Sequence, residues 1–318
     1  YKTKTERHQK PRSGIAMGGL GCGWYEIRQD GQFQNWMIAN NKPLFRGAKI
    51  PFDAHNLLFF IVWYQVEGEE PRMQLLQVEE SHGSAAICHT EYQYIFPWLD
   101  GVDRIDFEGT FPFARLIYDA QRMPLEVSLE AWSPFIPRDA KNSSLPAAFY
   151  DFKIRSYADK PVDIFMLGSL RNIAGYDVKY KHYTHRIIEE ENVLGVCAGT
   201  TSMDERHSSF GNASLCVVGS NASYYAGWEH IHPYYELLIE NGSLLNRDDT
   251  AGRNTTDKET GRPAAMERCW SSVGRRFRLE TAGEEAECPF LHTWYFPNNY
   301  AQMPDDTDQE LAGDLENP

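Results

Sequence analysis

The sequence predicts an all-β fold: a large two-sheet antiparallel β-sandwich, supersandwich-like in scale, with long loops and few short helices. Three observations lead there. Leu125, Val127, Leu129 and Ala131 alternate with Glu126, Ser128 and Glu130, a period of two that sorts apolar side chains onto one strand face. Turn signals such as Asp30-Gly31 and the stretch YADKP at 157–161 separate the strand-like runs. Apolar spacing of three and four is scarce, so the only helices expected are short ones near Met266 to Ser271.

The elements run in order along the chain. Residues 1–12, YKTKTERHQKPR, are polar and basic and read as a flexible lead-in. The sandwich domain is expected over 13–303. At its start Gly18, Gly19, Gly21 and Gly23 crowd together. A strand-like run, the Asp30-Gly31 turn and a second run through Phe33 and Trp36 then make a hairpin signature. Leu57 to Tyr64 is an unbroken apolar run of a length that suits a buried strand and is too short to span a membrane. Phe152 and Ile154, Asp163 to Leu167, Leu215 to Val218 and Val273 to Leu279 continue the strand series. Glu229 to Arg268 is polar and turn-rich, and long loops are expected there. Residues 304–318 are acidic and almost without core formers, the composition of a linker leading toward a further domain.

At 318 residues the chain is long enough for one large β unit. Its net charge of −14 excludes the basic footprint of a nucleic-acid binder. Aromatics make up 13% of the chain, a supply that serves sheet cores and sugar stacking alike. The six cysteines, Cys22, Cys88, Cys197, Cys216, Cys269 and Cys288, have no C-x-x-C pair and no zinc-like spacing. Buried thiols in a reducing, cytoplasmic setting are the expectation, with a membrane-peripheral position also open. Sequons at Asn142, Asn212, Asn221, Asn241 and Asn254 keep secretion open. Tyr1 is not an initiator methionine, so an upstream leader stays open too.

The motifs that could carry chemistry each have a plainer structural explanation. GGLGCG lacks the G-x-G-x-x-G spacing and opens toward a strand, so it offers no helix N-terminus to a pyrophosphate. Tight turns and close backbone approach account for it better. Asp100, Asp103, Asp106 and Glu108 form one acidic cluster and Glu189, Glu190 and Glu191 another. Glycoside hydrolysis needs paired carboxylates, yet solvated faces and turns explain both clusters better. His182 and His185 lie three apart. His230 and His232 lie two apart and would share a strand face, but no third metal ligand has clear spacing. No G-x-S-x-G elbow or Cys-His signature appears. The residues alone nominate no catalytic group, no metal and no cofactor.

Three segments carry a resemblance. GIAMGGLGCGWYEIRQDGQFQNWMIANN at 14–41, EAWSPFIPRDAKNSSLPAAFYDFKIRS at 130–156 and HTWYFPNN at 292–299 are similar, in the same order, to patterns of glycoside hydrolase family 116. That family includes non-lysosomal glucosylceramidases, also called bile acid β-glucosidases, and microbial β-glucosidases. The resemblance implies an N-terminal β-sandwich packed against a C-terminal (α/α)6 barrel. It implies a retaining mechanism whose Glu nucleophile and Asp acid/base both lie in the barrel, acting on a β-glucoside or glucosylceramide-like substrate. No residue here matches those catalytic motifs. The chain stops before any barrel, so truncation, cleavage or a separate polypeptide is expected. Its own role would be support, with Gly18, Gly19, Gly21, Trp36, Asn40 and Asn41 as candidates for the domain interface or pocket rim. Packing of Trp36 and turn formation by Asn40 and Asn41 account for these residues equally well. Two other readings compete: a free-standing carbohydrate-binding module, and a mutarotase-like enzyme using groups such as Glu229, His230 or Asp103.

Overall fold

A computed structural model describes residues 2–6, 14–39, 57–78, 100–176, 178, 181–250, 256, 258–259, 261 and 269–298. The strands begin with β1 (Lys2–Glu6), β2 (Gly14–Met17), β3 (Tyr25–Arg28), β4 (Phe33–Gln34), β5 (Leu58–Val66), β6 (Arg72–Val78) and β7 (Asp100–Val102). Next come β8 (Arg104–Thr110), β9 (Phe113–Asp119), β10 (Leu125–Trp132), a single helical turn α1 (Ala140–Ser143), β11 (Ala147–Ser156) and β12 (Val162–Arg171). The remainder are β13 (His182–Glu190), β14 (Val193–Thr201), β15 (Asn212–Val218), β16 (Ala222–Trp228), helix α2 (Ile231–Asn241), β17 (Arg247–Asp248), β18 (Trp270–Leu279) and β19 (Glu285–Tyr295).

Among the described residues two large sheets form the sandwich, and neither closes into a barrel. One has nine strands in the order β1-β8-β9-β10-β11-β19-β15-β14-β13, and the other has seven in the order β17-β16-β18-β12-β5-β6-β7. Their pairings are antiparallel except for two short parallel ones, β6 with β7 and β16 with β17. A small sheet, β2-β3-β4, accompanies them. The period-two reading holds in detail: along β10 every second residue, from Leu125 to Ala131, is buried. These inward rows meet Phe60, Val62 and Tyr64 of β5 in the main core.

The run from Leu57 to Tyr64 is apolar on both faces because both faces are covered. Its alternate residues Phe59, Ile61 and Trp63 pack outward with Tyr234, Leu237 and Leu238 of α2. Each such large side chain, fully buried, contributes about 1.5–3 kcal/mol. Helix α2 occupies the start of 229–268, the stretch expected to hold long loops, and is a helix that the sequence pattern did not place. Pro233 sits in its first turn, where a missing N–H costs nothing. Gly242 closes it with a left-handed φ of 53° and donates its N–H to the Leu238 carbonyl at 2.8 Å.

Four expectations are corrected. Lys2–Glu6 is a paired strand and not a flexible lead-in. Thr5 turns inward, while Lys2 and Lys4 meet Glu108 and Asp106 across the edge at 3.1 and 3.8 Å. Trp270 and Ser271 belong to β18, not to a short helix, because pairing with β12 and β16 overrides local preference. Residues 262–268 lie outside the described residues. The second arm of the first hairpin ends at Gln34, before Trp36, since Asn35 takes a φ of 55°. His230 and His232 lie at the start of α2 and not on a strand.

Candidate functional site

The three family-like segments, distant in sequence, are stitched together at one end of the nine-stranded sheet. The glycine turn between β2 and β3 is the centre. Gly18 donates its N–H to Ser133 Oγ at 2.7 Å, and Leu20 donates its N–H to the Ser143 carbonyl at 2.7 Å. From the third segment, Trp294 Nε1 donates to the Cys22 carbonyl at 2.7 Å, and the Trp294 N–H reaches the Pro146 carbonyl at 3.2 Å. Gly18 has a φ of 136°, and a Cβ there would sit 2.4 Å from the Gly23 carbonyl oxygen. At Gly19 a Cβ would come within 2.4 Å of the Leu145 carbonyl oxygen, so the turn presses against the second segment.

Beneath the turn lies a buried polar bridge with one member from each segment. Tyr25 shares a hydrogen bond with the Tyr150 hydroxyl, and its own hydroxyl lies 2.8 Å from His292 Nδ1. All three are fully enclosed. Burial pushes both tyrosine hydroxyls well above their usual range and pulls His292 down to about 3. The network is therefore neutral at ordinary pH. His292 Nε2 has no hydrogen-bond partner among the described residues. Rings enclose the imidazole: Tyr25, Trp36 and Trp294 lie 5.3 to 5.9 Å from it.

Trp36 is buried, stacks on Tyr25 at 4.1 Å and donates its Nε1–H to the Phe33 carbonyl at 3.0 Å. Gly21, with a φ of 77°, has open space where a Cβ would point. Asn40 and Asn41 lie outside the described residues. Tyr25, Tyr150 and His292 were missed in the sequence, although each sits inside one of the three segments.

The other candidates disperse. Asp106 and Glu108 are ion-paired on β8, and Asp103 accepts the Gln121 N–H at 2.8 Å. Of Asp100, only the backbone in β7 is described. Glu189, Glu190 and Glu191 are exposed at the end of the β13–β14 hairpin. Glu229 lies 3.8 Å from His230, and His232 lies 3.5 Å from Glu236. This puts Glu229 and His230 beside α2 on the outside of the seven-stranded sheet, apart from Asp103. His185 Nδ1 meets Thr250 Oγ1 at 2.5 Å, and burial pulls its pKa down to about 4. No group of three metal-ligating side chains occurs among the described residues. A groove of about 960 Å³ runs over the outer face of the nine-stranded sheet, lined by Lys4, Asp106, Arg115, Glu130, Asp151 and Lys153 among others. Opposite charges there are matched, as in the 2.5 Å pair of Arg115 and Glu130.

The family model described as beta-glucosidase 2, glycosyl-hydrolase family 116 N-term matches residues 14–308. This chain belongs to glycoside hydrolase family 116. It corresponds to the family's N-terminal domain, and all three stitched segments fall inside the match. Among curated proteins, none matches. Solved structures share a distant likeness. A putative kojibiose phosphorylase from human microbiome is 9% identical, with 99% of this chain and 28% of that one covered and a TM-score of 0.31. A bacterial glucoamylase complexed with acarbose is 9% identical, with 99% and 37% covered and a TM-score of 0.45. A putative aldose 1-epimerase from Escherichia coli K12 is 8% identical, with 89% and 99% covered and a TM-score of 0.41. The chain spans well under half the length of the first two.

Proposed function

We propose that this family 116 domain is the supporting half of a retaining hydrolase of β-glucosides, of the β-glucosidase or glucosylceramidase type. A helical (α/α)6 domain, in the same or a companion chain, supplies the Glu nucleophile and the Asp acid/base. One observation carries this reading beyond the family match: the three segments that resemble the family build one common end, closed beneath by a neutral, enclosed network. Such a network fixes positions and has no proton to give at neutral pH. Supporting shells of this kind govern catalysis by holding others in place.

On this reading the sandwich runs over 13–303, with 304–318 leading to the helical domain. Gly18, Gly19, Gly21, Trp36, Asn40 and Asn41 shape the interface or pocket rim, Trp36 from below as the stacking support of Tyr25. No described helix is long and apolar enough to cross a membrane. Cys22, Cys197, Cys216 and Cys288 are thiols, which favours the cytoplasm as the setting.

The test compares the 318-residue chain with the full-length product of its gene, on an aryl β-glucoside and on glucosylceramide. The chain alone should be inactive and the full-length protein active with retention at the anomeric carbon. Hydrolysis by the chain alone, or inversion, would sink the proposal.

A further inference from the structure

The stitched end also carries the largest concentration of exposed apolar side chains among the described residues. Leu20, Phe111, Phe113, Phe135, Ile136 and Leu145 each retain between 38 and 56% of their surface. Strand register puts them together. Phe113 pairs with Trp132, and Trp132 with Phe149. Ala147 pairs with Thr293, so the start of β11 and the end of β19 lie side by side. Phe111 and Phe135 meet edge to face with ring centres 5.3 Å apart. Leu20 rides on the glycine turn, whose neighbour Gly19 abuts Leu145.

These side chains sit on fixed backbone. Buried Ser143 holds the loop from 133 to 146 from within: its Oγ accepts the Ile136 N–H at 2.8 Å and donates to the Ile136 carbonyl at 3.1 Å. Its own carbonyl takes the Leu20 N–H. Asp139 caps the adjoining turn through the Asn142 N–H at 3.0 Å. A rigid apolar patch open to water marks a surface made to be covered.

We infer that this end is the docking surface for the helical domain, and that the helical domain meets it with an apolar face rimmed by acidic side chains. The inference rests on the function proposed above. Three features favour that occupant. Strand β19 delivers the chain to this end, where Asn298 is tied by its side-chain amide to the carbonyls of Glu205 and His207 at 2.6 and 2.9 Å, so the last described residues leave the sandwich on the side of the patch. Exposed Arg138 and Lys141 border it and call for acidic partners. A second copy of this chain would bring together two bodies of net charge −14, which repel each other.

The experiment is amide hydrogen exchange on the full-length protein and on the 318-residue chain, with the β11 peptide 147–156 as the folding control. Exchange in peptides covering 18–23, 109–113 and 133–146 should slow at least tenfold in the full-length protein, and Phe135→Asp with Leu145→Asp should reverse it. Equal exchange in the two proteins, with β11 protected in both, overturns the docking surface. So does protection in the 318-residue chain that grows with its own concentration, which would show self-association. Hydrolysis measured on the same samples separates the two ideas. Activity without protection spares the function and refutes the surface, whereas protection without β-glucoside hydrolysis does the reverse.

Discussion

Tyr25→Phe tests the bridge that joins the three segments. The substitution keeps the ring, its stack on Trp36 and its burial, and removes one oxygen. That oxygen is the partner of both the Tyr150 hydroxyl and His292 Nδ1. A buried polar group left without a partner costs about 1–3 kcal/mol. Two groups are stranded at once, and His292, whose Nε2 already lacks a partner, loses its last one. The expected loss is therefore about 2–6 kcal/mol, a large share of the roughly 5–15 kcal/mol that holds a domain together. Tyr25→Phe with Tyr150→Phe strands only His292, so the double variant should be less destabilised than the sum of the singles by about 1–2 kcal/mol. Urea denaturation measures this, with an unchanged m-value showing that only stability moved. A loss below about 0.5 kcal/mol for Tyr25→Phe, or additivity in the double variant, would refute the reasoning.

Acid should expose the buried imidazoles. His292 and His185 have folded pKa values pulled down to about 3 and about 4, against 6.5 when unfolded. Their neutral forms are favoured by the fold, so their contribution is present above pH 6.5 and is lost as pH falls toward 4 and 3. At pH 5 each should cost about 2 kcal/mol, and urea midpoints measured from pH 7.5 to 5 should fall accordingly; a flat profile would contradict their burial. Gly18→Ala should cost about 1–3 kcal/mol in strain and collision, and Gly21→Ala less, since only Gly18 has a backbone oxygen in the way; equal melting temperatures for the two would remove the distinction. Leu238→Ala, fully buried on the inner face of α2, should cost about 2–5 kcal/mol, and calorimetry that shows an unchanged transition would mean α2 is not part of the core.

What the sequence revealed depended on how local the signal was. Alternation along β10 and β11 needs only neighbouring residues, so the strands were legible. The apolar run in β5 was legible as a buried strand, but its cover was not. Tyr234, Leu237 and Leu238 show the helical spacing for barely one turn, inside a polar stretch, and only the outward row of Phe59, Ile61 and Trp63 reveals what they are for. Lys2–Glu6 read as a tail because its partner strand lies about a hundred residues away. The site was half legible for the same reason. The glycine turn announces itself locally, whereas Tyr25, Tyr150 and His292 look like ordinary strand residues until the fold places them in contact. Their meeting is a property of register, which single-segment patterns do not contain.

The chemistry of that meeting argues for a brace. A general acid for glycoside cleavage needs a carboxyl group able to exchange its proton with a substrate oxygen and with water. The bridge offers two phenols pushed above their usual range and an imidazole pulled down to about 3, all closed to solvent. Every shift runs toward the neutral form, the opposite of a group poised to change charge. What the bridge does supply is position. Each of its three members belongs to a different segment, so a slip of one segment by a single residue would break it. The glycine turn above inherits that register through Gly18, Leu20 and Cys22, and the apolar patch inherits it through Ser143. A neighbouring domain seated on that patch would thus be held by a surface whose shape is fixed from beneath, by groups that gain nothing from titrating.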